Sequence, residues 1–297
     1  MDLNFYANEG SNLSKFVKYN IETINNKKYI VADSSTKKHS FGAPLIDLEE
    51  DFSINALVDL LNIGKSAVYE ENNLEEQIIN FVNTYSTLGL MNDFPVNKYF
   101  CLDEKIVLKD YNYIGNSDCT TILSREDYFK IFFPKCTDKE LKELIEKAIK
   151  LTETSAMEKH ITSDLNKLLI GSNWYCEPLD MFIQYVKYMY NLLNAIINKE
   201  DTVETKYNAF EVNHINMFLT QKEFVNIEIP ITSLKQFIDF YFARTVSRDV
   251  NLLKICKFCN KAFIANNPKA EYDTPQCKNK ANVYKSRAKN KELKLLI

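Results

Sequence analysis

Glycine is scarce in this chain of 297 residues: there are six, alongside seven prolines, three histidines and one tryptophan. So few glycines, none of them clustered, exclude a glycine-rich phosphate cradle, a Walker sequence and a nucleophile elbow. The three histidines, His39, His160 and His214, leave little imidazole for a metal or an acid–base site. No apolar run approaches the roughly 20 residues that span a bilayer, and Met1 to Ser11 lacks the basic start and apolar centre of a secretory signal. The expectation is a cytoplasmic protein with no membrane partner. Internal repeats, low-complexity tracts and Pro/Gly/Ser linkers are absent too.

What is present is enough apolar residue, 45% of the chain, to bury one large core or two smaller ones. Charge is divided unevenly along it. From Lys254 to Ile297 eleven lysines and arginines face only Glu271, Asp273 and Glu292, a balance of +8. The preceding 253 residues hold 26 basic and 37 acidic side chains, a balance of −11. An acidic body (1–253) and a basic C-terminal module (254–297) follow from that contrast. A subdivision of the body near 135 is expected, where long helical patterns begin. Of the seven cysteines, Cys101, Cys119, Cys136 and Cys176 are isolated in sequence and read as free buried thiols of a reducing compartment.

Hydrophobic spacing predicts an α+β protein, with a mostly helical body and short β-hairpins. The stretch Lys15–Ala32 reads as a hairpin around Asn25-Asn26. Ser53 precedes a helical stripe of Ile54, Leu57, Val58 and Leu61, and Asn73 precedes Leu74, Ile78, Phe81, Val82 and Tyr85. Short strands are expected at 99–102 and 106–108. Leu141, Leu144, Ile145, Ala148 and Ile149 form one stripe after Thr137, and Ile161, Leu165, Leu168 and Leu169 another. Phe182, Tyr185, Val186, Met189, Leu193, Ile196 and Ile197 form a third, expected to be the central core helix. A hairpin is expected around Thr220–Lys222, then a helix capped by Ser233 with Leu234, Phe237, Ile238 and Tyr241 inward.

The basic module carries the one chemically specific pattern. Cys256-Lys-Phe-Cys259 has the spacing of a metal knuckle, and Cys277 follows a helix start at Thr274-Pro275-Gln276. Cys277, Ala281, Tyr284 and Ala288 share a helical face, which would turn Cys277, and Tyr284 with it, inward. A tetrahedral zinc site needs a fourth donor, and the first-turn position four residues before Cys277 is Asp273. Three readings of Asp273 stand side by side: a carboxylate ligand completing the site, a helix N-cap with Gln276 as its capping-box partner, or the mark of a decayed site held by Phe258, Phe263, Tyr272 and Tyr284.

The run Cys256-x-x-Cys259, Phe263, Tyr272-Asp273-x-x-x-Cys277 and then Lys278-Asn279-Lys280 resembles the C-terminal CGNR-type zinc finger of bacterial proteins. In that pattern an aromatic–Cys pair precedes Cys-Gly-Asn-Arg and a basic helix. Here Lys278 replaces the glycine and Asp273 replaces the third cysteine. More loosely, Phe81-Val82-Asn83-Thr84-Tyr85 with Leu88-Gly89-Leu90 is similar to a low-GC bacterial family of uncharacterised proteins sharing this finger. The resemblance covers about forty residues at the finger and implies a treble-clef-like fold, zinc as cofactor and DNA binding by analogy.

A phosphate-contacting surface is available from Lys278, Lys280, Lys285, Arg287, Lys289 and Lys291, which favours DNA or RNA as partner, DNA ahead of RNA. A homodimer presenting two fingers would strengthen such binding. The expected function is nucleic-acid binding in regulation or defence. The competing class is an interaction or effector protein with a purely structural finger. An undetected hydrolase or nuclease is the least supported: His160 with Asp164 and Glu153 could share a helix face, yet a surface ion pair explains them, and His214 reads as a structural strand histidine. His39 is placed in a Lys-rich loop, and Trp174-Tyr175 beside Cys176-Glu177 reads as a core anchor or a pocket wall.

Overall fold

A computed structural model describes residues 3–7, 13–33, 35, 38–41, 50–93, 102–108, 122–158, 169–198, 216–219, 225–229, 233–249 and 252–295. Within them lie seven α-helices and five small sheets, an α+β arrangement.

Strands β1 (Leu3–Ala7) and β2 (Leu13–Phe16) open the chain. Next come β3 (Tyr19–Ile24) and β4 (Lys27–Ala32), the expected hairpin. Its two-residue turn needs positive φ at both central positions, and Asn25 (50°) and Asn26 (63°) supply it. β5 (Lys38–Phe41) pairs with β2, which puts His39 opposite Lys15 in a ladder and not in a loop.

Helix α1 (Glu50–Val68) starts three residues before Ser53, so Ser53 lies inside it and is not its cap. Its buried residues include Ala56, Leu57, Leu60, Leu61, Ile63 and Ala67, spread around more of the helix than one stripe. That is the signature of a helix packed on several sides. Helix α2 (Leu74–Tyr85) buries Ile78, Phe81, Val82 and Tyr85, as its spacing predicts, and a 3₁₀ turn at Leu90–Asp93 follows. β6 (Lys105–Val107) pairs with β7 (Ile122–Ser124); Tyr99, Phe100 and Cys101 lie outside the described residues.

Ser124 caps α3 (Arg125–Phe132) by accepting the Asp127 N–H at 3.1 Å. Thr137 and Glu140 form a reciprocal capping box at the start of α4 (Asp138–Glu158), with the Thr137 N–H donating to Oε2 of Glu140 at 2.8 Å. Ile161, Leu165 and Leu168 of the next expected stripe, with His160 and Asp164, lie outside the described residues; Leu169 is fully buried.

β8 (Cys176–Pro178) adds to β4 as the third strand of that sheet and leads directly into α5 (Leu179–Asn198). As expected, α5 is the central core helix, burying Phe182, Tyr185, Val186, Met189, Tyr190 and Leu193. It crosses α1 at Gly64, where a Cβ would stand 2.1 Å from the Val186 carbonyl oxygen; a larger residue would separate the two helices. β9 (Asn216–Leu219) and β10 (Val225–Ile229) form the second predicted hairpin, and β1 joins β10 in parallel. His214 lies outside the described residues. Ser233 caps α6 (Leu234–Asp249), accepting the Gln236 N–H at 3.1 Å, and Leu234, Phe237, Ile238 and Phe242 face the core.

Two buried polar knots fix the segment between α2 and its 3₁₀ turn. Glu177, fully buried on β8, accepts the N–H groups of Leu88 (2.9 Å), Gly89 (2.7 Å) and Leu90 (3.1 Å) and the Tyr175 hydroxyl (2.9 Å). Gly89 has φ +73°, a conformation that lets successive amides converge on one carboxylate. From the other side, the Lys235 N–H donates to the Leu88 carbonyl at 2.9 Å. The Lys235 side chain pairs with Asp239 at 2.5 Å, and Asp239 accepts the Tyr185 hydroxyl at 2.8 Å.

Residues of the looser motif have structural tasks here. Asn83 accepts the Tyr19 N–H at 2.8 Å and Tyr85 donates to Asp59 at 2.7 Å. Tyr175 and Cys176 are core residues, while Trp174 is 44% exposed and lies outside the core. Cys176 is buried but Cys136 only half-buried, and burial pushes their thiols up to about 12 and about 11. Among the described residues no helix is long and apolar enough to cross a membrane.

Candidate metal centre

The chain leaves α6 and enters a tight hairpin of β11 (Leu253–Ile255) and β12 (Ala262–Ile264). Cys256 to Cys259 form the knuckle between these strands. The Cys256 N–H donates to the Lys261 carbonyl and the Asn260 N–H returns to the Cys256 carbonyl, both at 2.9 Å. Asn260 turns the chain with φ 58°, which asparagine tolerates better than most residues. The loop that follows is tied back onto the knuckle: Lys257 N–H donates to the Glu271 carbonyl at 3.0 Å, their side chains pair at 2.6 Å, and the Lys254 ammonium reaches the carbonyls of Pro268 and Ala270.

Helix α7 (Pro275–Leu295) then begins, with Pro275 at its first position. Its cap is Thr274, whose Oγ1 accepts the Cys277 N–H at 3.2 Å. That places Asp273 one residue outside the helix and removes the N-cap reading of Asp273. Its carboxylate instead faces the sulfurs, with Oδ1 3.3 Å from Sγ of Cys256 and Oδ2 3.5 Å from Sγ of Cys259.

Together Cys256, Cys259, Asp273 and Cys277 place one donor atom each within 4.8 Å of one another, the one such group among the described residues. A tetrahedral zinc with Zn–S of about 2.3 Å and Zn–O of about 2.0 Å has S···O edges of about 3.5 Å and S···S edges of about 3.8 Å. Each Asp273 oxygen stands near the first of these distances from one sulfur, Oδ1 from Cys256 and Oδ2 from Cys259, and a site using a single oxygen would need the widest separation to contract by about 1 Å. Four protein donors, if all bound one ion, would fill a tetrahedral shell, which is the stoichiometry of a structural site. Cys256 is fully buried and the other three are half-buried, which limits the access of water.

The electrostatics of the cluster suit a cation. Burial works to raise the Asp273 carboxyl, but hydrogen bonds from Cys277, Cys256 and Cys259 outweigh it and hold it below the usual carboxylate range. The carboxylate is therefore ionised at neutral pH. Burial pushes the Cys259 thiol up to about 12, and the hydrogen bond with Asp273 raises that of Cys277. Without a metal the Cys259 and Cys277 thiols keep their protons beside the Asp273 carboxylate; a divalent cation would displace those protons.

The finger is seated on the body. Leu253 and Ala262 belong to the main hydrophobic core, the Asn62 side chain bonds both backbone groups of Ala262, and the Tyr190 hydroxyl donates to the Asn260 carbonyl at 2.7 Å. Of the predicted basic residues, Lys278, Lys280, Lys285 and Arg287 are exposed on α7; Lys289 and Lys291 continue the helix, with side chains outside the described set. Ala281 faces inward as expected, but Tyr284 does not: it is 62% exposed, with Phe258 beneath it at 5.8 Å between ring centroids. Helical periodicity tells which residues share a face of α7 but not how far along the helix the rest of the protein covers that face, and cover falls off between Ala281 and Tyr284.

The chain matches no protein-family model, no curated protein and no solved structure. Its likeness to the CGNR-type finger therefore rests on the quoted residues and on the geometry they adopt.

Proposed function

We propose that this is a zinc-finger protein that binds nucleic acid through α7, in a regulatory or defence role in a bacterial cell. Cys256, Cys259, Cys277 and Asp273 would hold the zinc, completing a treble-clef-like module. The supporting observation is that the three thiols and one carboxylate converge at the start of the same helix that carries exposed Lys278, Lys280, Lys285 and Arg287. Zinc in such a site contributes folding free energy and fixes the angle at which the helix leaves the knuckle. The chain's own residues do the rest: Thr274 caps the helix, Lys254 and Lys257 hold the loop, and the exposed cations contact phosphates.

The binding would carry a counterion-release term. Neutralising Lys280, Lys285 and Arg287 together to glutamine should weaken binding across sequences. It should also flatten the plot of log affinity against log salt by about two to three units, from roughly 0.7 per phosphate on a single strand to roughly 0.9 on a duplex. The acidic body opposes binding at long range, so a monomer should bind modestly and a dimer more tightly. An unchanged slope, or no association with DNA or RNA at low salt, contradicts the proposal.

A second reading has an observation of its own. The finger's hairpin is fastened to α1 and α5 through Asn62 and Tyr190 and contributes Leu253 and Ala262 to the core, which suits a structural staple in an interaction or effector protein. On that reading chelation loosens the body, and no nucleic acid binds.

A further inference from the structure

We infer that Tyr284, supported from beneath by Phe258, is a stacking platform for an unpaired nucleobase, so that the polyanion taken by the finger is a single strand. This rests on the nucleic-acid reading above and specifies its ligand. Among the described side chains of α7, Ala281 is the last that is buried; residues 282 to 288 are exposed without exception. Within that stretch Tyr284 is 62% and Val283 47% exposed, and large apolar groups on an otherwise lysine-rich helix have no solvation reason to be there.

The Tyr284 ring has an aromatic neighbour in the knuckle. It lies against Phe258 with centroids 5.8 Å apart and planes tilted by 31°, and Phe258 is held between the knuckle residues Cys256 and Cys259. One side of the tyrosine is covered by protein while most of its surface remains open. Lys280 stands one turn before it and Arg287 one turn after, on the same side of the helix, and both are exposed. An exposed aromatic backed by a second ring and set between two cations is the arrangement that receives a base on the ring and its flanking phosphates on the charges.

Duplex DNA shows phosphates to such a helix but keeps its base faces stacked inside, so it would gain nothing from Tyr284. A second copy of the chain is disfavoured as occupant. Pairing two α7 faces would juxtapose two modules of +8 charge each.

The test uses the full chain and three fluorescent probes, an oligouridine, an oligodeoxythymidine and a duplex, each of about twelve nucleotides. Both single strands should bind more tightly than the duplex, and preference between them assigns RNA or DNA. Tyr284→Ala should weaken single-strand binding by roughly ten- to a hundredfold with the salt slope unchanged, while Tyr284→Phe retains it. Tyr284 is exposed, so neither change threatens the fold. In a Trp174→Phe/Tyr284→Trp double variant, whose only tryptophan would be at the platform, single strands should quench the fluorescence and the duplex should not. Equal binding of duplex and single strands with no effect of Tyr284→Ala overturns this inference and leaves the nucleic-acid reading intact. Absence of binding to all three probes at low salt overturns both. Sedimentation showing a dimer that Tyr284→Ala dissociates assigns the face to self-association and overturns the inference.

Discussion

Asn62 on α1 completes the edge of the finger's hairpin at Ala262: its Oδ1 accepts the Ala262 N–H at 2.8 Å and its amide donates to the Ala262 carbonyl at 3.2 Å. A side chain 200 residues away in sequence thus stands in for the missing next strand of β12. Asn62→Ala leaves a half-buried backbone N–H and C=O without those partners, at a cost of about 1–3 kcal/mol. The expected outcome is faster amide exchange across 253–265 with the metal still bound. Unchanged exchange there would mean that the core contacts of Leu253 and Ala262 suffice to seat the finger.

Gly64 should tolerate no side chain. An alanine Cβ would meet the Val186 carbonyl oxygen at 2.1 Å and the Tyr190 Cβ at 2.9 Å, so α1 and α5 must separate. Alanine's helix propensity returns about 1 kcal/mol, while forced repacking of a core costs about 1–3 kcal/mol and here involves rigid backbone. Gly64→Ala should lower the urea midpoint; a midpoint equal to or above wild type contradicts the close crossing.

Glu177 is the acceptor for three backbone amides and a tyrosine hydroxyl. Burial pushes its carboxyl above the usual range, and those four donors pull the other way. Glu177→Gln turns an NH₂ group toward donors and should destabilise by about 2–3 kcal/mol at neutral pH. A variant as stable as wild type would show that the desolvation cost of the charge offsets its hydrogen bonds.

Acid should release the end of α1. Hydrogen bonds from Lys65 and Ser66 lower the Glu71 carboxyl, so its folded value lies below the unfolded value of about 4.3. The resulting stability is present above about pH 4.3 and is lost as pH falls through the folded value. The stability gap between wild type and Glu71→Gln should be constant near neutrality and should close as pH falls from about 4.3 through the lowered folded value. A gap of equal size at both ends contradicts the assignment.

Much of the fold could be read where local chemistry decides it. Asn25-Asn26 announced a turn, Ser233 a cap, and the stripe from Phe182 to Leu193 a core helix, because each follows from residues within one or two turns of chain. The start of α1 was misjudged because Ser53 is a good cap residue in any context, and the chain begins that helix at Glu50. The parallel pairing of β1 with β10 could not be foreseen, since its partners are far apart in sequence. At the candidate site, spacing alone found Cys256, Cys259, Asp273 and Cys277. Spacing does not decide whether Asp273 caps the helix; the Thr274 hydroxyl on the Cys277 N–H removes that one of its three readings. The roles of Glu177 and Asn62 depend on distant amides and left no local signal.

Whether Cys256, Cys259, Asp273 and Cys277 together hold a zinc ion is decided by elemental analysis of the full chain purified without chelator. The expected result is about one zinc per chain, its loss in Cys259→Ser with the body still folded, and slower extraction by chelator in Asp273→Cys. Stoichiometric absence of metal from the wild-type protein would contradict it.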